Sequence, residues 1–392
     1  MNFIDIHCHP SMKIHLFNRY IHKEFHPKGK NLSTNMFVNL PSMRQGGVNA
    51  AVSVHYLPES DLTSGIFKTF VKGFLEFIEH LLIVLVSFKF EDRSSPRAPF
   101  YQMAKIILKF EENIKIANQK EGNNNTVIAK NYAEFENAIS EGKIVFIHSI
   151  EGGNCLGHGI TDANIILEEI QTFFEIGVCQ FTIAHFFQNV LVTSQGGMPP
   201  HIKKLLKYDA GNTYPNGYNE TNDIAKIAIV KMLDLGIIID LVHCTNETRN
   251  LIFDLNNERG SKKRPIIFSH TGIREIVLRH NPNFPLSDQL YLPNAEDILK
   301  VKDCGGVLGI IFMDYWLKGR EETTPALEII IETIHFIHQI CGNSYENIAI
   351  GSDLDGFTQV PADLLGANFM DELVAKMRTA NIPESGIEAI CF

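Results

Sequence analysis

The chain has 392 residues, of which 45% are hydrophobic and 20% charged, and a formal net charge of −10. This balance supports a large buried core and excludes intrinsic disorder, which goes with few apolar residues and a high charge density. The acidic charge disfavours nucleic acid as a partner, because nucleic-acid binding depends on clustered lysine and arginine.

Eight short apolar runs, rich in β-branched residues and each ending in a polar residue, are predicted to be strands. Stretches with helical periodicity follow them, and this alternation is typical of a parallel sheet. Eight such units favour an α/β fold closed into a (β/α)8 TIM barrel, so residues 1–392 are interpreted as one domain. The predicted strands are 2–7, 50–54, 144–150, 180–184, 237–242, 265–269, 307–312 and 348–352.

Residues 59–126 are predicted to form a helical insertion after the second strand, since they are too many for an ordinary connection. Inside it, 66–90 is apolar but interrupted by charged residues, which favours an amphipathic helix over a membrane span. Further on, helices are predicted at 222–235, ended by Gly236, and at 297–302.

The seven cysteines are scattered, form no CxxC pair and are odd in number, which indicates a reducing compartment. The N-terminus enters an apolar strand directly, without the charged lead of a signal peptide. A cytoplasmic location without membrane attachment is therefore predicted.

The metal-competent residues fall at or just beyond the carboxyl ends of predicted strands, the rim where barrel enzymes carry their chemistry. His7 and His9 close the first strand, and their i, i+2 spacing places both imidazoles on one face of an extended chain. Glu151 follows the third strand with a carboxylate able to bridge two cations. His243 and His270 end two consecutive strands and are candidates for a second metal that shares this carboxylate.

Four further residues are weighed beside this set. Asp353, the first carboxylate after the last strand, is the candidate general acid/base, and Asp355 is interpreted as a turn residue or one that anchors a ligand. His185 ends the fourth strand and is a candidate donor to an oxyanion, with a structural role as an equal alternative. His55 is interpreted as structural.

These motifs, in this order, resemble the membrane dipeptidase family, peptidase M19, within the amidohydrolase-like metal barrels. The resemblance implies a (β/α)8 hydrolase with two divalent ions, zinc being expected, that cleaves small amides and above all dipeptides. The match runs along most of the chain and rests on Asp5–Pro10, Leu40–Val48, Ile150–Gly153, Phe181–His185, Ile239–His243, Ser269–His270 and Gly351–Gly356.

Carried over residue by residue, the resemblance implies that His7 and Glu151 hold the first metal. The same carboxylate would share the second metal with His243 and His270. A hydroxide bridging the two ions would attack the substrate carbonyl, with Asp353 moving the proton. His185 would steady the oxyanion.

Among the candidate site residues, the sequence departs from the family pattern at three places. His9 stands where the family usually has Asp, so the first metal loses a negative ligand. The family's carboxylate-binding arginine has no direct counterpart, and Arg274 or Arg279 could serve only by a shift. A family tyrosine corresponds to a methionine, with Tyr315 nearby as the candidate. Loss of the arginine that would bind a free carboxylate of the substrate predicts relaxed substrate specificity.

Two other functions stay open at this point. One is a metal-dependent phosphoester or nucleic-acid hydrolase, since TatD-like barrels also begin with HxH, although the acidic chain counts against it. The other is a barrel that has lost its first metal and acts as a binding protein. The predicted partner is a small molecule, a dipeptide or related amide, and members of the resembled family commonly form homodimers.

Overall fold

The computed structural model describes residues 3–24, 35–60, 91–192, 198, 223–319, 323–356, 360–361, 363–364 and 370–392. Within these ranges the chain forms nine strands in one parallel sheet. They are β1 (Phe3–Cys8), β2 (Val48–Tyr56), β3 (Thr126–Ala129), β4 (Ile144–Glu151), β5 (Val178–Thr182), β6 (Ile238–Asp240), β7 (Ile266–Thr271), β8 (Leu308–Ile310) and β9 (Ile348–Ile350).

Eight of these strands close into a barrel in the order β1, β2, β4, β5, β6, β7, β8, β9. The closing contact joins Ala50 to Tyr56 on β2 with Val145 to Glu151 on β4. On the other side of β1, Asp5 pairs with Ile350. The predicted (β/α)8 barrel is therefore confirmed, and each of the eight predicted strands overlaps one barrel strand.

The ninth strand, β3, was not predicted. It pairs with Ile144 to Ile147, the first half of β4, while β5 pairs with the second half from His148 onward. With four residues, two of them only partly buried, β3 is too short to show a periodic signal in the sequence.

Helices surround the barrel, and Pro, Asn or Asp begins several of them, as expected of residues that suit a helix start. Short 3-10 turns lie at Gly153–Leu156 and Gly260–Lys262. The helices in the described ranges are α1 (Pro10–Phe17), α2 (Leu40–Gln45), α3 (Ala98–Glu121), α4 (Tyr132–Ser140), α5 (Ala163–Glu175), α6 (Asp223–Leu235), α7 (Asn246–Asn257), α8 (Arg274–His280), α9 (Leu286–Gln289), α10 (Ala295–Asp303), α11 (Asp314–Leu317), α12 (Ala326–Ile340), α13 (Met370–Thr379) and α14 (Glu384–Cys391).

Two predicted helices correspond to α6 and α10. Gly236 follows α6 with a φ of 84°, a left-handed conformation that glycine adopts without steric cost. The α10 helix starts two residues earlier than predicted because the Asn294 side chain accepts hydrogen bonds from the backbone N–H groups of Glu296 and Asp297.

The long helix α3 lies inside the segment predicted as an insertion. One face of it is buried, including Phe100, Met103, Ile107 and Phe110. The amphipathic helix predicted at 66–90 lies outside the described residues. Among the helices that are described, none is long and apolar enough to cross a membrane.

The connection between α9 and α10 is held by a buried cation. Arg249 on α7 is fully buried, and its Nη1 lies 2.9 Å from Asp297 Oδ2. Its Nη2 donates to Asn246 Oδ1 at 2.7 Å and to the Leu290 carbonyl oxygen. The guanidinium therefore fixes the loop that follows β7 at the mouth of the barrel.

We predict that Arg249→Ala lowers the free energy of unfolding by about 3 kcal/mol or more, since it leaves the Asp297 carboxylate buried without its partner. Urea denaturation measures the loss. The matched control is Arg378→Ala, which breaks an exposed pair whose Arg378 Nε and Glu384 Oε1 lie 2.8 Å apart. That change is expected to cost much less stability, because water screens an exposed pair, and equal losses for the two variants would contradict the role given to Arg249.

Candidate metal centre

The five predicted metal ligands converge at the carboxyl end of the barrel, and each is at most 8% exposed. Glu151 Oε1 lies 3.8 Å from His7 Nε2, 3.4 Å from His243 Nε2 and 3.7 Å from His270 Nε2. Its other oxygen, Oε2, lies 3.4 Å from His9 Nε2. The carboxylate thus stands at the centre of four imidazoles delivered by β1, β7 and the segments that follow β1 and β6.

The backbone around the carboxylate is shaped to bring the strand end close to the cluster. Gly152 has a φ of 92°, and a Cβ there would lie 2.6 Å from the Asn154 side-chain oxygen, so glycine is required. His243 and Asp353 also have positive φ, at 63° and 55°. Non-glycine residues rarely adopt that conformation, and its presence at two site residues shows that the surrounding structure enforces it.

Three overlapping groups of these side chains bring ligand atoms within 4.8 Å of one another. Glu151 belongs to two of the groups, as expected for a carboxylate shared by two ions. His185 takes the place beside His243 that was predicted for His270, while His270 lies in the third group. The groups are His7, His9 and Glu151, then Glu151, His185 and His243, and finally His7, His270 and Asp353.

The chemistry of this donor set fits a divalent cation. Within the described chain Glu151 Oε1 is buried without a hydrogen bond, although three imidazole nitrogens surround it at 3.4 to 3.8 Å. A buried carboxylate oxygen without a donor is costly, and a cation among these nitrogens would remove that cost. The Nε2 atoms of His7 and His9 lie 3.0 Å apart, close to the roughly 3.3 Å expected for two nitrogens on one tetrahedral ion.

The protonation states also favour metal binding. Burial raises the pKa of Glu151, but His185, the contact from His243 and His7 outweigh it and hold that pKa well below its usual range. Burial and the neighbouring His270 keep the pKa of His7 well below its ordinary value. An ionised carboxylate beside a neutral imidazole is the form that binds cations.

A buried serine and aspartate orient two of the imidazoles. Ser269 Oγ donates to Asp240 Oδ2 at 2.6 Å, so its lone pairs accept from His7 Nδ1 at 2.8 Å and His270 Nδ1 at 3.0 Å. Because Nδ1 carries the proton in both rings, both Nε2 lone pairs face Glu151. Asp240 also accepts from the hydroxyl of Thr182 at 2.6 Å, which ties the ends of β5, β6 and β7 together.

A second buried aspartate joins β1 to β9. Asp5 accepts from the backbone N–H of His7 at 3.1 Å and of Ser352 at 3.0 Å, and from the Ser352 hydroxyl. Burial raises the pKa of Asp5 to about 6, an effect that the hydrogen bonds from Ser352 reduce. His9 comes two residues after His7, and Asp353 directly follows Ser352. The His9 Nε2 and Asp353 Oδ1 atoms lie 3.1 Å apart.

His185 is held by a residue that the sequence reasoning did not identify. Its Nδ1 lies 2.7 Å from Glu59 Oε1, and the other oxygen of Glu59 accepts from the Tyr56 hydroxyl. The Nε2 of His185 faces the cluster, 3.9 Å from Glu151 Oε2. Burial lowers the pKa of His185, but Glu59 and Glu151 together raise it above its ordinary value. The signal in the sequence that could have identified Glu59 was its position as a carboxylate three residues beyond the end of β2.

The other residues weighed from the sequence lie around this centre. Asp355 accepts from the backbone N–H groups of Phe37 at 2.7 Å and Val38 at 2.8 Å, which anchors the chain before α2. His55 Nε2 lies 2.8 Å from His148 Nδ1, and both rings contact Phe110 of α3 on the outside of the barrel.

The three residues predicted to bind substrate do not line the cavity above the cluster. Arg279 is exposed, and its guanidinium pairs with the carboxylate of Glu332. Arg274 is half-buried at the start of α8. The Tyr315 hydroxyl donates to Asp288 Oδ2.

A model of the membrane dipeptidase family, peptidase family M19, matches residues 1–391 of the chain. The chain belongs to this family of metallopeptidases. The M19 assignment implies a divalent metal, and the three groups of His, Glu and Asp described above supply ligand atoms for it.

The sequence similarity to individual proteins covers part of the chain, whereas the structural similarity covers all of it. An uncharacterised dipeptidase of Schizosaccharomyces pombe is 27% identical over 221 residues, 56% of this chain and 45% of that protein. Dipeptidase verJ of Clonostachys rogersoniana is 21% identical over 262 residues, 67% of this chain and 56% of that protein. The chain thus spans about half the length of the curated relatives it matches.

A metallopeptidase of Rhodobacter sphaeroides, solved with a phosphinate mimic of the dipeptide L-Ala-D-Ala, has a TM-score of 0.70 and 16% identity. The superposition covers 100% of this chain and 96% of that one, so the two share a fold.

We predict that Glu59→Gln lowers the pKa of His185, because it removes the negative charge that favours the protonated imidazole. NMR titration of the His185 ring in the metal-free protein measures the change. The matched control is Glu169→Gln, which neutralises another buried carboxylate, paired with Arg97 at 2.9 Å. A His185 pKa that is unaltered by Glu59→Gln would contradict the pairing.

Proposed function

We propose that this protein is a metal-dependent hydrolase that cleaves small amide bonds, with dipeptides and related amides as the substrate class. The observation that carries the proposal is the buried Glu151 carboxylate, whose Oε1 faces three imidazole nitrogens within 3.8 Å without a hydrogen bond. Membership of the M19 metallopeptidases supports the reaction class.

The metal complement is part of the proposal. We infer two divalent ions, with zinc expected from the imidazole and carboxylate donors. His7, His9 and Glu151 would hold the first, and Glu151, His243 and His270 the second. Bound there, the ions would supply Lewis acidity that activates water and polarises the substrate carbonyl.

Asp353 is the proposed general acid/base. Its Oδ1 lies 3.1 Å from His9 Nε2 and 3.9 Å from His7 Nε2, beside the cluster and facing the cavity. Its backbone N–H donates to the His7 carbonyl oxygen at 2.9 Å, which fixes its position relative to β1. From here the carboxylate accepts the proton of the attacking water and returns it to the leaving amine.

His185 is the proposed donor to the developing oxyanion. Its Nδ1 is directed to Glu59 and its Nε2 faces the cluster, and Glu59 and Glu151 raise its pKa, which favours the imidazolium that would donate from Nε2. A charged donor in a buried site stabilises negative charge on the carbonyl oxygen as it forms, an effect typically worth about 3 kcal/mol.

We expect Asp353→Asn to keep its metal and to lose activity at least about 100-fold, since the amide cannot accept the proton. Metal content by atomic emission and hydrolysis of a dipeptide panel, with p-nitrophenyl phosphate alongside, measure both properties. Asp371→Asn, a change at an exposed position on α13, is the control. Full turnover by Asp353→Asn would remove this residue from the acid/base role. Hydrolysis of the phosphate alone by the unaltered protein would replace the amidase proposal with the phosphoesterase alternative.

We expect His9→Asp to bind the first metal about ten times more tightly, because a carboxylate adds a negative charge where the imidazole has none. Zinc competition against a chromogenic chelator measures the affinity. His158→Asp, at an exposed position, is the control for the added charge. An unchanged or weaker affinity in His9→Asp would place residue 9 outside the first metal site.

A further inference from the structure

The cavity above the metal centre is lined by two chemically different sets of residues. The titratable residues of the centre, with Asp353 among them, form one part of the lining. An apolar wall formed by the segments that follow β7 and β8 is another part. Counting the space open to solvent at its mouth, the cavity holds about 620 Å³. The wall consists of Tyr291, Leu292, Ile311, Met313 and Trp316.

This apolar wall is preformed. Leu292 is 2% exposed, Tyr291 7% and Trp316 8%. The chain before Tyr291 is fixed by the hydrogen bond from Arg249 to the Leu290 carbonyl oxygen. Trp316 packs against Phe284, with ring centroids 6.0 Å apart. A substrate group therefore meets these side chains without reordering them, which keeps the entropic cost of binding low.

The charges near the wall exclude one kind of substrate group. Among the described residues that line the cavity there is no lysine or arginine. Of the nearby arginines, Arg249 pairs with Asp297 and Arg279 with Glu332, and the half-buried Arg274 is not among the residues that line the cavity. A carboxylate placed against the wall would lose its hydration without gaining a cation, whereas an aliphatic or aromatic group would gain by leaving water.

We propose that the substrate presents an apolar, uncharged group to this wall, so that the preferred substrates are amides of hydrophobic residues whose terminal carboxylate is absent or blocked. This inference rests on the proposed hydrolase function and adds the substrate class to it. The group buried against the wall supplies binding, and the absence of a cation there removes the advantage that a free carboxyl terminus would have.

Three compounds test the inference on the unaltered, zinc-loaded protein. Ala-Phe amide and Ala-Phe differ only in the terminal charge, and Ala-Gly amide lacks the apolar side chain. We expect kcat/KM for Ala-Phe amide to exceed that for Ala-Phe and for Ala-Gly amide by about tenfold or more, from the burial of the ring and the cost of an uncompensated carboxylate. Released alanine, measured by chromatography, gives the rates.

The outcomes separate this inference from the proposed function. A tenfold preference for Ala-Phe over its amide, or equal rates for the two amides, would overturn the inference and leave the hydrolase proposal standing. If none of the three compounds nor any other dipeptide is hydrolysed by protein that holds its metal, the hydrolase proposal is lost and the inference with it.

A variant tests the wall directly. Leu292→Arg places a cation in the wall and should shift the ratio of kcat/KM for Ala-Phe and Ala-Phe amide at least tenfold toward the free acid. The matched control is Leu286→Arg, the same change at a position that is 80% exposed on α9. A folded Leu292→Arg protein with an unchanged ratio would overturn the inference. If this variant does not fold, the comparison of the three compounds still decides the question.

Discussion

The structure depends on one electrostatic constraint, a carboxylate buried at the mouth of a closed barrel. Glu151 is 3% exposed, and imidazoles surround it. Removing a carboxylate from water costs several kcal/mol unless cations or donors replace the hydration. The M19 family implies a divalent metal, and a cation bound among these histidines would replace that hydration. The polar neighbours of these histidines are consistent with such a site. Ser269, which donates to Asp240, orients the ring of His7, and Glu59 orients the ring of His185.

The barrel makes this convergence possible because side chains alternate along each strand. Glu151 points into the mouth from the end of β4, while His148, three residues earlier, points outward to α3. The close approach of β9 to β7 also helps to position the site residues. A Cβ on Gly351 would lie 1.6 Å from the Ser269 carbonyl oxygen, so glycine alone lets the end of β9 pass β7 at this level. Asp353, two residues later, is thereby carried to the cluster.

The barrel and the convergence of the candidate metal ligands at its mouth could be predicted from the sequence because both depend on local patterns. Apolar runs that end in His or Glu specify a strand and the residue at its mouth together. Glu59, Asp240 and Ser269 escaped that reasoning because their roles depend on contacts between different strands. Arg279 was one of two candidates for the family's carboxylate-binding arginine, but its side chain pairs with Glu332 on the surface. The single-domain organisation, the cytoplasmic location and the homodimer stay predictions.

His9, which stands where the family usually has Asp, and the apolar wall both affect the charge of the site. The group of His7, His9 and Glu151 contains a single carboxylate, so a cation bound there would keep more net positive charge than in a group with two acidic residues. Asp353 reduces that charge, since its Oδ1 lies 3.1 Å from His9 Nε2. Among the described residues, the apolar wall adds no cation to this charge. If both proposals hold, affinity for the substrate divides between a polar contact at the reacting group and hydrophobic burial against the wall.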